Sequence, residues 1–212
     1  MNLTKILAGT ILATNLLYQG CVSNMGSRMY DICMPLSNVP TTESDLEAKA
    51  TAREVFIFFN EHVKDSLETV DFRIVSEKEL DNASGKYVFL NGGIIFIKEG
   101  LDETYFKEVV FHELIHRLDC TGKIDRVKFF SIYDNIDMEK FSIKRRIEEI
   151  LNSKEYLSSF WKDPQSERIA YCFALWHCCD FDLPDEMVDF AKTILDNDFV
   201  ENKRKGLYIA NK

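Results

Sequence analysis

The sequence predicts an α+β fold with its strands gathered early and its helices filling the second half. Three observations lead there. Between residues 70 and 98 lie three short runs rich in β-branched and aromatic residues, separated by turn formers. A helical pattern carrying two histidines follows directly. From about residue 137 onward, apolar residues recur only at helical spacing. Strands and helices are segregated, not alternating, so a βαβ repeat is not expected.

In chain order, "SDLE" (Ser44–Glu47) reads as a capping box. It opens an amphipathic helix to about Lys64, with Leu46, Val55, Phe58 and Phe59 on its apolar stripe. His62, near the end of that helix, suits a C-terminal turn or the surface. "VDFRIVS" (Val70–Ser76), "KYVFL" (Lys86–Leu90) and "GIIFIK" (Gly93–Lys98) are the three strands. Asn91, Gly92 and Gly93 lie between the last two and can supply the positive φ of a tight hairpin. Asp102 is a plausible N-cap for the next helix and Gly122 its C-terminal stop. A helix is expected over about 137–151 and a short one near 154–160. Asp163 and Pro164 then open another, as N-cap and first helical residue. The last helix is expected from Pro184 to about Asn197.

The N-terminus is of a different kind. After Lys5, residues 6–17 are mostly apolar, too few to cross a bilayer and typical of a secretory signal. "YQGC" follows, and Gly20 before Cys21 resembles a bacterial lipobox. Residues 1–20 are therefore expected to be a signal peptide, Cys21 the lipidated residue, 21–42 a tether and 43–212 a single domain. Tyr18 stands where that motif usually has leucine. An exported chain held to the envelope by a lipid at Cys21, or secreted, is the expectation. With 35 acidic against 26 basic side chains, net charge is −9. That argues against nucleic acid as a partner, because the surface would repel it. The short basic runs Lys144–Arg146 and Lys203–Lys205 read as solvated faces. Composition leaves the oligomeric state open. Were Cys21 lipidated, five cysteines would remain (Cys33, Cys120, Cys172, Cys178, Cys179), and an odd number cannot all pair.

The chemistry lies in "VVFHELIHRLDC", residues 109–120. His112 and His116 are four apart, so both imidazoles leave one face of a helix and can meet one zinc ion at about 2.0–2.1 Å. Glu113, rotated by about 100°, stands beside that position, where a carboxylate takes up the proton of a metal-activated water. This is the HExxH arrangement, and it predicts one zinc ion with Glu113 as general base. A catalytic zinc needs a third protein ligand and one open position. The position six after His116 is Gly122, which cannot ligate. Asp119 shares the helix and suits a hydrogen bond to a histidine better than the ion itself. Downstream carboxylates and His177 remain. Glu167, in the first turn of "ERIAYCFA", has small residues on its flank that let two helices approach. His177 lies about three turns further on and reads as structural or exposed.

HExxH followed by ExxAxxF resembles the glutamate-type zincins. "HELIHRLD" with "ERIAYCF", 51 residues from His116 to Glu167, is similar to the catalytic-domain family of anthrax lethal factor and its small secreted relatives. "HELIH" with "ERIAYCFA" also resembles the ImmA-type minigluzincins, whose gap is usually shorter and which are cytoplasmic. The export signal and the long gap favour the former. The resemblance spans about residues 86–179 and is specific at the motifs. It implies a zincin-like fold, a small mixed sheet with an edge strand before the motif helix and a mostly helical C-terminal half. It also implies Glu167 as third ligand beside His112 and His116, and peptide or protein substrates. "GIIFIK" occupies the place of the substrate-pairing edge strand. One feature departs: the active-site tyrosine of the lethal-factor branch corresponds to Phe160 here. Tyr171 and Tyr156 are the candidates to replace it at the oxyanion. The alternative reading is a catalytically weak or inactive zincin-fold lipoprotein that serves as an envelope binding or adaptor module.

Overall fold

The computed structural model describes residues 43–68, 70–80, 83–89, 93–153, 156, 163–179 and 181–206. The expected signal peptide, tether, Cys21, Cys33, Phe160 and all but Tyr156 of the short helix near 154–160 lie outside these. Among the described residues, seven α-helices and a three-stranded mixed sheet make the fold α+β. They are α1 (Glu43–His62), β1 (Asp71–Val75), β2 (Gly85–Val88), β3 (Ile94–Lys98), α2 (Glu103–Cys120), α3 (Arg126–Tyr133), α4 (Ser142–Leu151), α5 (Pro164–Cys178), α6 (Asp185–Ile194) and α7 (Asn197–Arg204).

The sheet order is β1-β3-β2, with β1 parallel and β2 antiparallel to β3. This corrects one expectation. "GIIFIK" is the central strand, and β2 from "KYVFL" is an edge strand among the described residues. The reason lies in the burial. Ile95, Phe96 and Ile97 are all buried, so β3 is apolar on both faces, as a strand flanked on both sides is. β2 keeps three of its four residues only partly buried. The two strands pair antiparallel, as the sequence suggests, and Gly93 just before β3 has φ 101°; Asn91 and Gly92 lie outside the described residues.

α2 is enclosed by the elements around it. The Asp102 carboxylate accepts from the Tyr105 N–H at its start. At its end Gly122 (φ 72°) donates to the Asp119 carbonyl and Lys123 to the Leu118 carbonyl. Those two bonds form a Schellman motif, which needs the left-handed backbone that glycine supplies. Between the caps, eleven residues from Phe106 to Asp119 are buried, on nearly every face. Neighbours account for this: β2 and β3 lie on one side, α1 on another and α5 along a third. A helix enclosed in this way holds its side chains in fixed rotamers, which suits a site built from them.

Two helices went unforeseen, α3 and α7. The sequence also places Leu46 on the inner stripe of α1, yet it is 60% exposed, and Ala52 and Phe59 are the buried residues. The expected helix over 137–151 begins only at Ser142, and the last expected helix stops at Ile194. There the chain pairs back on α1: Lys64 N–H donates to the Ile194 carbonyl and Asp196 N–H to that of His62. Cys172 and Cys178 are free thiols.

His177 is structural. Its ring stacks on Phe111 at 4.2 Å and on Phe58 at 5.6 Å, with Phe199 at 5.5 Å. Its buried Nδ1 has no hydrogen-bond partner among the described residues. Burial, helped by the charges of Lys203 and His62, pushes its pKa down to about 3 from 6.5. Between those values the unfolded chain binds a proton that the folded chain refuses, so stability falls as pH drops below 6.5. Replacing His177 with phenylalanine is expected to flatten that acid decline in Tm, as thermal melts across the range will read.

Candidate metal centre

The site is assembled by α2 and α5, which pack antiparallel along each other. α2 supplies His112, Glu113 and His116 from one and a half turns. α5 supplies Glu167, one turn after its start. There the Asp163 carboxylate caps the N–H groups of Gln165 and Ser166, and Pro164 is the first helical residue. Ala170 and Ala174 are fully buried, and such small side chains allow α5 a close approach.

The three candidate ligands converge. His112 Nε2 and His116 Nε2 are 3.0 Å apart, Glu167 Oε2 is 3.2 Å from His112 Nε2, and Glu167 Oε1 is 3.4 Å from His116 Nε2. A tetrahedral ion with bonds of about 2.0–2.1 Å separates its ligands by about 3.3–3.4 Å. The observed spacing thus fits one small cation between two imidazole nitrogens and the Glu167 carboxylate, one of whose oxygens faces each imidazole. The ligand atoms of His112, Glu113 and His116 also lie within 4.8 Å of one another, so Glu113 stands beside the same point. His177 and Asp119 are not among the converging groups.

The electrostatics follow from burial. At Glu167, desolvation favours the neutral acid, but the charges and hydrogen bonds of His116 and His112 outweigh it and hold the carboxyl well below its usual range. At His116, burial opposes protonation, yet Glu167, Glu113 and Asp119 together lift it to about 9. The two shifts report one mutual attraction: the imidazoles hold the Glu167 carboxyl ionised, and three carboxylates turn negative charge on His116. Glu113 is buried, and desolvation raises its pKa against the opposing pull of both histidines. A carboxylate beside the cluster, when ionised, is a group that can take up a proton.

β2 borders Glu113. A backbone hydrogen bond from Tyr87 reaches its carboxylate. Gly85 passes so close that a Cβ there would lie 2.8 Å from Glu113 Oε1 and 2.5 Å from Val109 Cγ1. Only glycine lets the strand run at this distance from the helix. On the α5 side, the Tyr171 ring packs edge-on against His112 at 4.4 Å. Burial first, then Glu167 and its acidic neighbours, drives the Tyr171 phenol upward, so it stays protonated. Tyr156 is affected by Glu167 too, with burial the larger cause, and rises to about 12.

Asp119 reaches His116 through an intermediary. Ser166 Oγ lies 2.9 Å from His116 Nδ1 and donates to Asp119 Oδ2 at 2.7 Å. Arg126 Nε and its NH2 group grip the two oxygens of Asp119, each at 2.6 Å. Ser166 and Arg126 were not legible as site residues. Their only sequence signal is adjacency, Ser166 to Glu167 and Arg126 to the end of the motif helix. With the geometry established, comparison with known proteins adds no relative: no family model, curated protein or solved structure matches the chain.

Proposed function

We propose that the chain is a zinc-dependent endopeptidase of the glutamate-type zincin kind, exported and anchored to the bacterial envelope by a lipid at Cys21. The observation that supports it is the meeting of His112, His116 and Glu167 at tetrahedral spacing with Glu113 beside them. Zinc held there would polarise the scissile carbonyl and lower the pKa of an attacking water. Glu113 takes that water's proton and passes it to the leaving amine. Tyr171, a protonated phenol against His112, is the better placed of the two tyrosines to donate to the oxyanion as it forms. A peptide paired along the edge strand β2 would carry its amide past Glu113, and backbone pairing of that kind selects extended peptides and proteins.

The test is a peptide library incubated with the purified full chain. Cleavage that a chelator abolishes and zinc restores is the expected result. Bound zinc with no cleavage of any peptide would favour the envelope adaptor instead. Cleavage that survives complete metal removal would overturn the proposal. Among the described residues no helix is long and apolar enough to cross a membrane. The lipid proposed at Cys21 rests on the sequence around it, and the mass of the mature N-terminal peptide will test it.

A further inference from the structure

We infer that Ser166 is a positioning residue that fixes the tautomer of His116, through a one-way hydrogen-bond chain ending on Asp119 and Arg126; this rests on the zinc reading of the site. The direction of the chain follows from proton counting. The Asp119 side chain is fully buried and both its oxygens accept from Arg126. A carboxylate so held has no proton to give, so the single hydroxyl proton of Ser166 goes to Asp119 Oδ2 at 2.7 Å. The Ser166 oxygen is then left to accept from its other neighbour, His116 Nδ1 at 2.9 Å. That nitrogen must carry the ring hydrogen. His116 Nε2 consequently offers its lone pair to the point shared with His112 and Glu167. The opposite tautomer would put a hydrogen where a ligand lone pair is needed.

The same contact sets geometry. Ser166 and Glu167 are consecutive in the first turn of α5. Tying the Ser166 hydroxyl between two α2 side chains therefore fixes the axial position of α5, and with it the reach of Glu167. Asp119 and His116 are one turn apart on α2, so a single hydroxyl bridges both. Ser166 is buried, which keeps water from substituting for it.

The experiment measures zinc affinity of the purified full chain by competition with a chromophoric chelator, with melting curves of the zinc-free proteins as a control for folding. Ser166→Ala is expected to weaken zinc binding by about 10–100-fold. Ser166→Thr, which keeps the hydroxyl, is expected to restore most of it. Asp119→Asn preserves shape but can donate to Ser166, which turns the chain around and favours the wrong tautomer. Its loss should equal or exceed that of Ser166→Ala. Wild-type affinity in Ser166→Ala, or a Ser166→Thr variant as weak as the alanine while melting like the wild type, would overturn the inference. A wild-type chain that binds no zinc would instead defeat the metal reading itself, so the two failures are distinguishable.

Discussion

Glu113→Gln retains zinc and loses amide hydrolysis: that is the expected result of the most discriminating substitution. Glutamine has the shape of glutamate, and Glu113 is not one of the three groups whose atoms sit at ligand spacing. Removing it leaves the imidazole pair and Glu167 intact, and the N–H of Tyr87 can still bond the amide oxygen. What is lost is a group that can accept a proton from water. General-base catalysis contributes about 10²–10⁴-fold, so kcat should drop by that order with the zinc content unchanged. The buried carboxylate also costs desolvation, so the neutral variant should melt no lower than the wild type. Undiminished cleavage in Glu113→Gln would remove the residue from the mechanism.

Glu167→Gln should fail differently, by losing the metal. Glu167 is the sole contribution of α5 to the ligand cluster and the anion that balances the two histidines, at 3.2 and 3.4 Å. An amide oxygen keeps the volume but is a weak zinc ligand, and two histidines alone leave the ion too open. Zinc affinity is expected to fall beyond the about 10–100-fold typical of partners outside the ligand shell. Activity should fall in proportion at limiting zinc and recover in part at high zinc. Equilibrium dialysis will read the first effect and a zinc-dependent rate curve the second. Unchanged affinity would mean that the third ligand is another group.

What could be read from the sequence was local. The motif helix announced both its ends, because Asp102 and Gly122 act on their own backbone within one turn. The helix that carries Glu167 did the same through Asp163 and Pro164. The order of the strands was not legible, because pairing partners are chosen by contacts far along the chain. The Tyr87–Val88 stretch and the Ile94–Ile97 stretch look equally strand-like. Only the burial of β3 on both faces, an outcome of packing, places it at the centre of the sheet. α3 and α7 are eight residues each, too short for their apolar spacing to rise above neighbouring loops. Ser166 illustrates the limit at the site. Serine near the start of a helix is unremarkable, and its role depends on Asp119, 47 residues away, coming within 2.7 Å.

The central claim is that one zinc ion is shared by two imidazoles of α2 and the carboxylate of α5. X-ray absorption at the zinc edge, on the full chain loaded with one equivalent, tests it most directly. The account predicts a shell of about four light atoms near 2.0–2.1 Å, with the outer scattering of two imidazole rings, reduced to one ring in His112→Ala. A shell without imidazole scattering, or one containing cysteine sulfur, would contradict it.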